Sequence, residues 1–315
     1  MSSKRNIFVT GGTGFIGSNL LDRLGKNGQY STRALVRTPP TELSSVEYIH
    51  GELSSPDTYR SALLDSSAVL HVAGEININQ SLTNPRKNIE NNLGMLASVL
   101  EEIRIGGKKQ MVVFLSTDRV YGRTRRATVT ETEPLVPIEP YTAAKILCEV
   151  LLETYRLLYG IPYIILRLDS VYGPKQPRSM FVSDLIQKML SGDTIEVGNL
   201  STKKNFVYVD DVVDAILSAL EAPESKQNTA YNIGGALVSM ESIALITQQI
   251  IEARLKKSIT ILSAKEQGRP ASVEVRPFRL SIVKAKKGLG WQPKTSLTEG
   301  ITKTITYFLH EHETK

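Results

Sequence analysis

At 315 residues, with 41% hydrophobic and 22% charged side chains, the chain can bury one large core or two, and its ordinary composition excludes disordered and fibrous classes. One cysteine, Cys148, rules out an internal disulfide framework; with no apolar run near the roughly 18 residues of a membrane span and no secretory pattern at the N-terminus, a cytoplasmic protein is expected. Lys and Arg outnumber Asp and Glu by 38 to 32, but they are scattered and lack aromatic interleaving, which argues against nucleic acid and leaves room for an anionic small molecule.

The chain opens with an apolar run, Ile7, Phe8 and Val9, that stops at glycines and passes into Phe15, Ile16, Leu20 and Leu21, spaced along one side of a helix. Gly11, Gly14 and Gly17 follow a G-x-x-G-x-x-G spacing, with Gly12 beside the first. Strand, glycine turn and helix in that order point to dinucleotide binding. The tight bend needs positive dihedrals, the pyrophosphate needs bare backbone, and the helix start offers free N–H groups. Thr13, Phe15 and Ile16 belong to the same turn.

Residues 32–36 (TRALV) read as a second strand with Arg37 at its tip. An acid there suits a free ribose 2′-hydroxyl and an arginine a 2′-phosphate, so NADP is expected over NAD. A third strand, 46–49, leads to Glu52 and Leu53, which are counted with the cofactor residues. Residues 68–72 (AVLHV) form a buried strand closing on Ala73 and Gly74, small enough for a cofactor to lie against the backbone. His71 within it reads as a packed histidine, and Cys148 as a buried thiol. A helix near 89–104 and a strand at 111–115 follow. Such alternation predicts an α/β fold with a doubly wound parallel sheet whose ligands lie beyond the strand C-terminal ends.

The strand at 111–115 runs into Ser116, Thr117, Asp118 and Arg119, and after a polar loop comes Pro140, a helix start, with Tyr141 and Lys145 four residues apart on one helical face. A phenol of pKa about 10 is a poor base, but a nearby ammonium favours the phenolate. Tyr141 can then exchange a proton with a hydroxyl while hydride moves at its carbon, Lys145 lowering the phenol pKa and holding the nicotinamide ribose, and Thr117 hydrogen-bonding the same oxygen. Arg123, Arg125 and Arg126 read as a solvated loop. Asp210 and Asp211 read as helix N-caps, and Trp291 as packing.

At this point TGGTGFIG, HVAG, STDRVYG, YTAAK, LRLDSVYGP and GLGWQP, in that order, resemble the motifs of the extended short-chain dehydrogenase/reductase family, the NAD(P)-dependent epimerases, dehydratases and reductases of nucleotide sugars. The resemblance spans nearly the whole chain. It implies a Rossmann domain over residues 1–170, with segments near 205–235 returning to it, and a smaller, mainly substrate-binding α/β lobe over 171–315. Thr117, Tyr141 and Lys145 match the family's catalytic Ser/Thr, Tyr and Lys. Asn91 matches an asparagine supporting the lysine, and Ser81 a position lining the sugar pocket. Ser170 stands where many relatives carry a substrate-reaching asparagine. Lys204 takes the place of an arginine that meets the nucleotide diphosphate, and Arg269, assisted by Arg276 or Arg279, resembles a second one. Homodimerisation through the helices at 88–104 and 140–159 is expected, and no metal site is.

Dehydratases of the family carry Asp and Glu after the threonine; here Asp118 is followed by Arg119, which stays protonated and cannot be a general base. The expected activity is hydride transfer at C4 of a nucleotide sugar, by a 4-ketoreductase or a 4-epimerase, Arg37 tilting the reading to the reductase. A 4,6-dehydratase, which Asp118 keeps open, a reductase of small ketones and a non-catalytic dinucleotide sensor are the alternatives.

Overall fold

A computed structural model describes residues 4–40, 45–198, 200–264 and 276–313. The N-terminal part forms β1 (Arg5–Thr10), α1 (Phe15–Lys26), β2 (Tyr30–Val36), β3 (Glu47–His50), α2 (Arg60–Leu64), β4 (Ala68–His71), α3 (Ile78–Thr83), α4 (Pro85–Ile105), β5 (Met111–Thr117) and β6 (Thr128–Val129). There follow α5 (Pro140–Tyr159), β7 (Tyr163–Leu168), β8 (Ser170–Tyr172), α6 (Phe181–Ser191), β9 (Thr194–Val197), β10 (Lys203–Tyr208) and α7 (Val209–Leu220). The chain closes with β11 (Thr229–Ile233), β12 (Ala236–Ser239), α8 (Met240–Leu255), β13 (Thr260–Ser263), β14 (Arg279–Leu280), α9 (Val283–Leu289) and α10 (Leu297–Glu313).

Seven strands make one sheet in the order β11-β7-β5-β4-β1-β2-β3, every pairing parallel. This is the expected doubly wound α/β fold. A sheet covered on both faces needs strands that are apolar throughout, and β5 (MVVFLST) and β7 (YIILRL) are buried along their whole length. Alternation deals their side chains to two layers. Ile7, Val9, Leu70, Val113 and Leu166 pack with residues of α1 and α7, whereas Phe8, Val69, Val112, Phe114 and Ile165 pack with residues of α2, α4 and α5. Each such side chain contributes about 1.5–3 kcal/mol by leaving water.

The chain winds outward in both directions from β1, so β1 and β4 flank the point where the strand order reverses and a crevice opens beyond their carboxyl ends. The smaller part holds a β12-β10-β8 sheet and the pairs β13-β9 and β14-β6. Asn205 on β10 is a junction there: its amide donates to Asp169 (2.5 Å) and to the Phe278 carbonyl (3.0 Å) and accepts from the Leu280 N–H (3.2 Å).

Two local expectations are corrected. Helix α4 begins at Pro85, because proline suits the first helical turn, where its missing N–H costs nothing. Asp210 and Asp211 lie inside the first turn of α7 rather than capping it. The Asp211 carboxylate instead accepts the backbone N–H groups of Lys294 (3.0 Å) and Thr295 (3.1 Å), and its carbonyl accepts the Trp291 indole (2.8 Å), so it fastens the C-terminal segment. Among the described residues no helix is long and apolar enough to cross a membrane, and no group of three His, Cys, Asp or Glu is placed to hold a metal ion.

Candidate active site

The glycine turn lies between β1 and α1. Gly11 has φ +72°, and a side chain there would come within 2.5 Å of the Ala73 nitrogen; a Cβ on Gly17 would reach the Gly11 carbonyl oxygen at 2.1 Å. No side chain among the described residues caps α1, so the N–H groups of its first turn and its positive dipole end remain available to an anion. Thr13 and Gly14 are exposed at the bend, with Phe15 and Ile16 half-buried behind them.

The neighbouring strand ends supply the rest of the cleft. Arg37 leaves β2 exposed, and because Val36 accepts the Gly51 N–H (3.0 Å), Glu52 and Leu53 emerge beside it. Ala73 and Gly74 leave β4. Buried Thr10 accepts the Ala73 N–H (3.3 Å) and pairs with His71 Nδ1 (3.1 Å). Burial, assisted by the charge of Lys145, pushes the His71 pKa down to about 3, so this histidine is neutral and structural. A Cβ on Gly74 would stand 3.2 Å from both the Lys145 ammonium and Asn92 Oδ1, so the Gly74 backbone faces the lysine directly.

Thr117 ends β5, while Tyr141 and Lys145 occupy the first turns of α5, all three buried. The Thr117 hydroxyl lies close enough to the Tyr141 phenol to lower its pKa. Burial raises the Tyr141 pKa well above the ordinary phenol value; Thr117 and Arg119 pull it down, and Asp118 and Glu139 push it up. The Lys145 ammonium donates to the Leu115 carbonyl (2.9 Å) and lies 4.6 Å over the Phe114 ring, and its own pKa is lowered by burial.

Asp118, Arg119 and Lys204 lie near one another, the charges of Arg119 and Lys204 both acting on the Asp118 carboxyl. Thr117 Oγ1 donates to Asp118 (3.3 Å), and Arg119 grips Glu139 through two bonds of 2.7 and 2.6 Å. With them stands a residue that the sequence reading missed, Asp169, at the tip of β7. Burial lifts its pKa to about 6 against the pull of the Ser170 N–H (2.6 Å), Asn205 and Lys204. Asp118 is also pushed up by burial and by the charge of Asp169, and down by Arg119 and Lys204. An acid ending an apolar strand at the sheet's carboxyl edge was the available signal.

Other expected residues stand apart. Asn91 donates to Glu75 (2.6 Å); its neighbour Asn92 is the one beside Lys145, since residues 88 and 92 share the inner face of α4 and 91 is turned away. The Ser81 hydroxyl is buried and donates to its own helix at Ile78 (2.7 Å). Ser170 is half-buried and offers its backbone N–H to Asp169. Arg269 lies outside the described residues. Also missed was Glu149, one turn after Lys145: its carboxylate accepts from Ser116 (2.6 Å) and from Arg167 (2.6 and 3.1 Å), and Arg167 reaches the Tyr121 hydroxyl (3.0 Å).

The chain is similar to known proteins along almost its whole length. The UDP-glucose 4-epimerase of Mycolicibacterium smegmatis is 29% identical over 97% of this chain and 99% of its own. The crystal structure of the Thermotoga maritima UDP-glucose 4-epimerase with UDP-glucose superposes with a TM-score of 0.85 at 30% identity, covering 98% of this chain and 99% of that one. The UDP-glucuronic acid 4-epimerase of Bacillus cereus, solved with UDP-glucuronic acid and NAD, gives 0.84 at 28% identity, over 97% and 99%. A sequence model of the NAD dependent epimerase/dehydratase family matches residues 7–234, and the chain belongs to that family.

Proposed function

We propose that the protein is a 4-epimerase of a UDP-linked hexose. The observation that carries this reading is Thr117 at the tip of β5 beside the Tyr141 phenol on α5, with Lys145 one turn further on and the glycine turn across the sheet's crossover. The cradle at Gly11 and Gly17, which any side chain would fill, and the bare backbone at Gly74 fit a dinucleotide. NAD, when bound, supplies a reversible hydride acceptor. Tyr141 takes the proton of the C4 hydroxyl as the hydride leaves C4, and gives it back to the same oxygen when the hydride returns to the other face of the rotated keto-sugar, while Thr117 holds that oxygen in both half-reactions. Lys145 and Asn92 hold the nicotinamide ribose at Gly74, and Lys204 offsets the charge of the diphosphate.

Purified protein incubated with UDP-galactose and no added nucleotide should yield UDP-glucose, and Tyr141→Phe should lower the rate about 10²–10⁴-fold. Consumption of NADPH with an NDP-4-keto-6-deoxysugar, without hexose interconversion, would replace this reading with the reductase. Exposed Arg37 favours that alternative and NADP; comparative titration with NAD and NADP decides the dinucleotide. A dehydratase is disfavoured, since the position needing a second acid is Arg119, held by Glu139. The working form we favour is a cytoplasmic homodimer, supported by Leu147, Val150, Leu157 and Leu158, 43 to 67% exposed along α5, and by Ile105 at the end of α4. Light scattering tests it.

A further inference from the structure

The reaction at C4 needs Thr117, Tyr141 and Lys145, and leaves Asp118 and Asp169 without a task. Both retain partial exposure, yet they are sunk far enough into the protein for burial to dominate their ionisation. Asp118 is joined to Thr117 and therefore lies within a sugar's width of the reacting carbon. Asp169 is aimed by two donors, the Ser170 N–H and the Asn205 amide, which fix its two oxygens separately.

The charges around them are uneven. Asp118, Asp169 and Glu139 face Arg119 and Lys204, and Arg119 already gives two N–H groups to Glu139. Among the described residues the Lys204 ammonium acts on both Asp118 and Asp169, so two carboxyl groups share its charge in the same space. Such a wall accepts hydrogen bonds readily. A third carboxylate brought into it meets repulsion and a desolvation cost, with Lys204 already opposed by both aspartates.

We propose that Asp118 and Asp169 together set the sugar specificity of this site, accepting hydrogen bonds from hydroxyl or amino groups next to the reacting carbon and rejecting a sugar that bears a carboxylate there. The assignment rests on the nucleotide-sugar reading above. It makes the protein selective for neutral or amino hexoses over hexuronic acids, and it makes the two aspartates specificity residues rather than the acid of a dehydration.

The test is calorimetric binding to the NAD-loaded Tyr141→Phe protein at pH 7.5, where turnover does not intrude. UDP-glucose should bind at least about tenfold more tightly than UDP-glucuronate. Adding Asp169→Asn or Asp118→Asn should narrow that gap by tightening the uronate, while the affinity for UDP alone, which reports an intact nucleotide site, stays level. Uronate binding as tight as the hexose overturns the proposal, and so does a gap unchanged in both variants. Loss of UDP binding by one variant transfers the decision to the other, and a chain that binds UDP in neither its parent nor its variant form sinks both readings. Preference for the hexose, when the protein with Tyr141 intact does not interconvert UDP-glucose and UDP-galactose, overturns the epimerase reading alone.

Discussion

Both carboxylate oxygens of Glu139 are taken by the guanidinium of Arg119, at 2.7 and 2.6 Å, and Glu139 stands two residues before Tyr141. The pair thus couples the turn after β5 to the start of the catalytic helix, and its charges act on the phenol in opposite senses, Arg119 lowering its pKa and Glu139 raising it. In Glu139→Gln the raising influence is gone and the guanidinium remains. The limb of the kcat/KM profile that rises as Tyr141 ionises should then move to lower pH. A profile displaced upward or left in place would contradict this account of the phenol.

Arg167 and Glu149 form an ion pair with side chains only 7% and 5% exposed. Arg167→Met leaves the carboxylate buried beside Ser116 and should cost about 3–5 kcal/mol in urea unfolding. The double change Arg167→Met with Glu149→Leu should recover much of that loss, because no buried charge is then unpaired.

Gly17→Ala forces a Cβ toward the Gly11 carbonyl, a backbone atom that cannot swing aside. The turn must open, and the first N–H groups of α1 move with it. Affinity for the dinucleotide, followed by fluorescence titration, should fall by about two orders of magnitude, close to 3 kcal/mol. Gly28→Ala, whose Cβ meets nothing within 4 Å, is the control.

Burial and the charge of Lys145 push the His71 pKa in the folded protein down to about 3 from an ordinary value of 6.5. Between those values the unfolded chain binds the extra proton, so the stability His71 confers is complete above pH 6.5 and declines as pH falls, by about 1.4 kcal/mol per unit. Asp169, raised to about 6, acts in the opposite sense: its folded form binds the extra proton, and its penalty is relieved as pH drops through 6. Unfolding midpoints between pH 8 and 5 should therefore fall less steeply in His71→Gln and more steeply in Asp169→Asn than in the parent.

The sheet was legible because its signals are local. The glycine spacing, the apolar runs and the Tyr-x-x-x-Lys pair each fit within a few residues, and the crossover rule places their ends together. What escaped was decided by partners distant in sequence. Glu149 reads as an ordinary helix charge until Arg167, inside the apolar strand YIILRL, is asked for its counter-ion. Asp211 has the look of a cap, but its oxygens go to residues 294 and 295. The identity of the asparagine beside Lys145 depends on which face of α4 packs inward, and a helix of 21 residues with several asparagines leaves that open.

The Asn205 junction has a consequence for biosynthesis. Asp169 is held by Asn205, and Asn205 in turn by Phe278 and Leu280, while Asp211 waits for Lys294 and Thr295. A nascent chain that has cleared the ribosome through Tyr141 and Lys145 carries every reacting side chain without the far wall of the chamber. Catalytic competence is therefore a late event in synthesis, because β7, α7 and β11 must complete the sheet and its cover before the Asn205 junction can close the chamber.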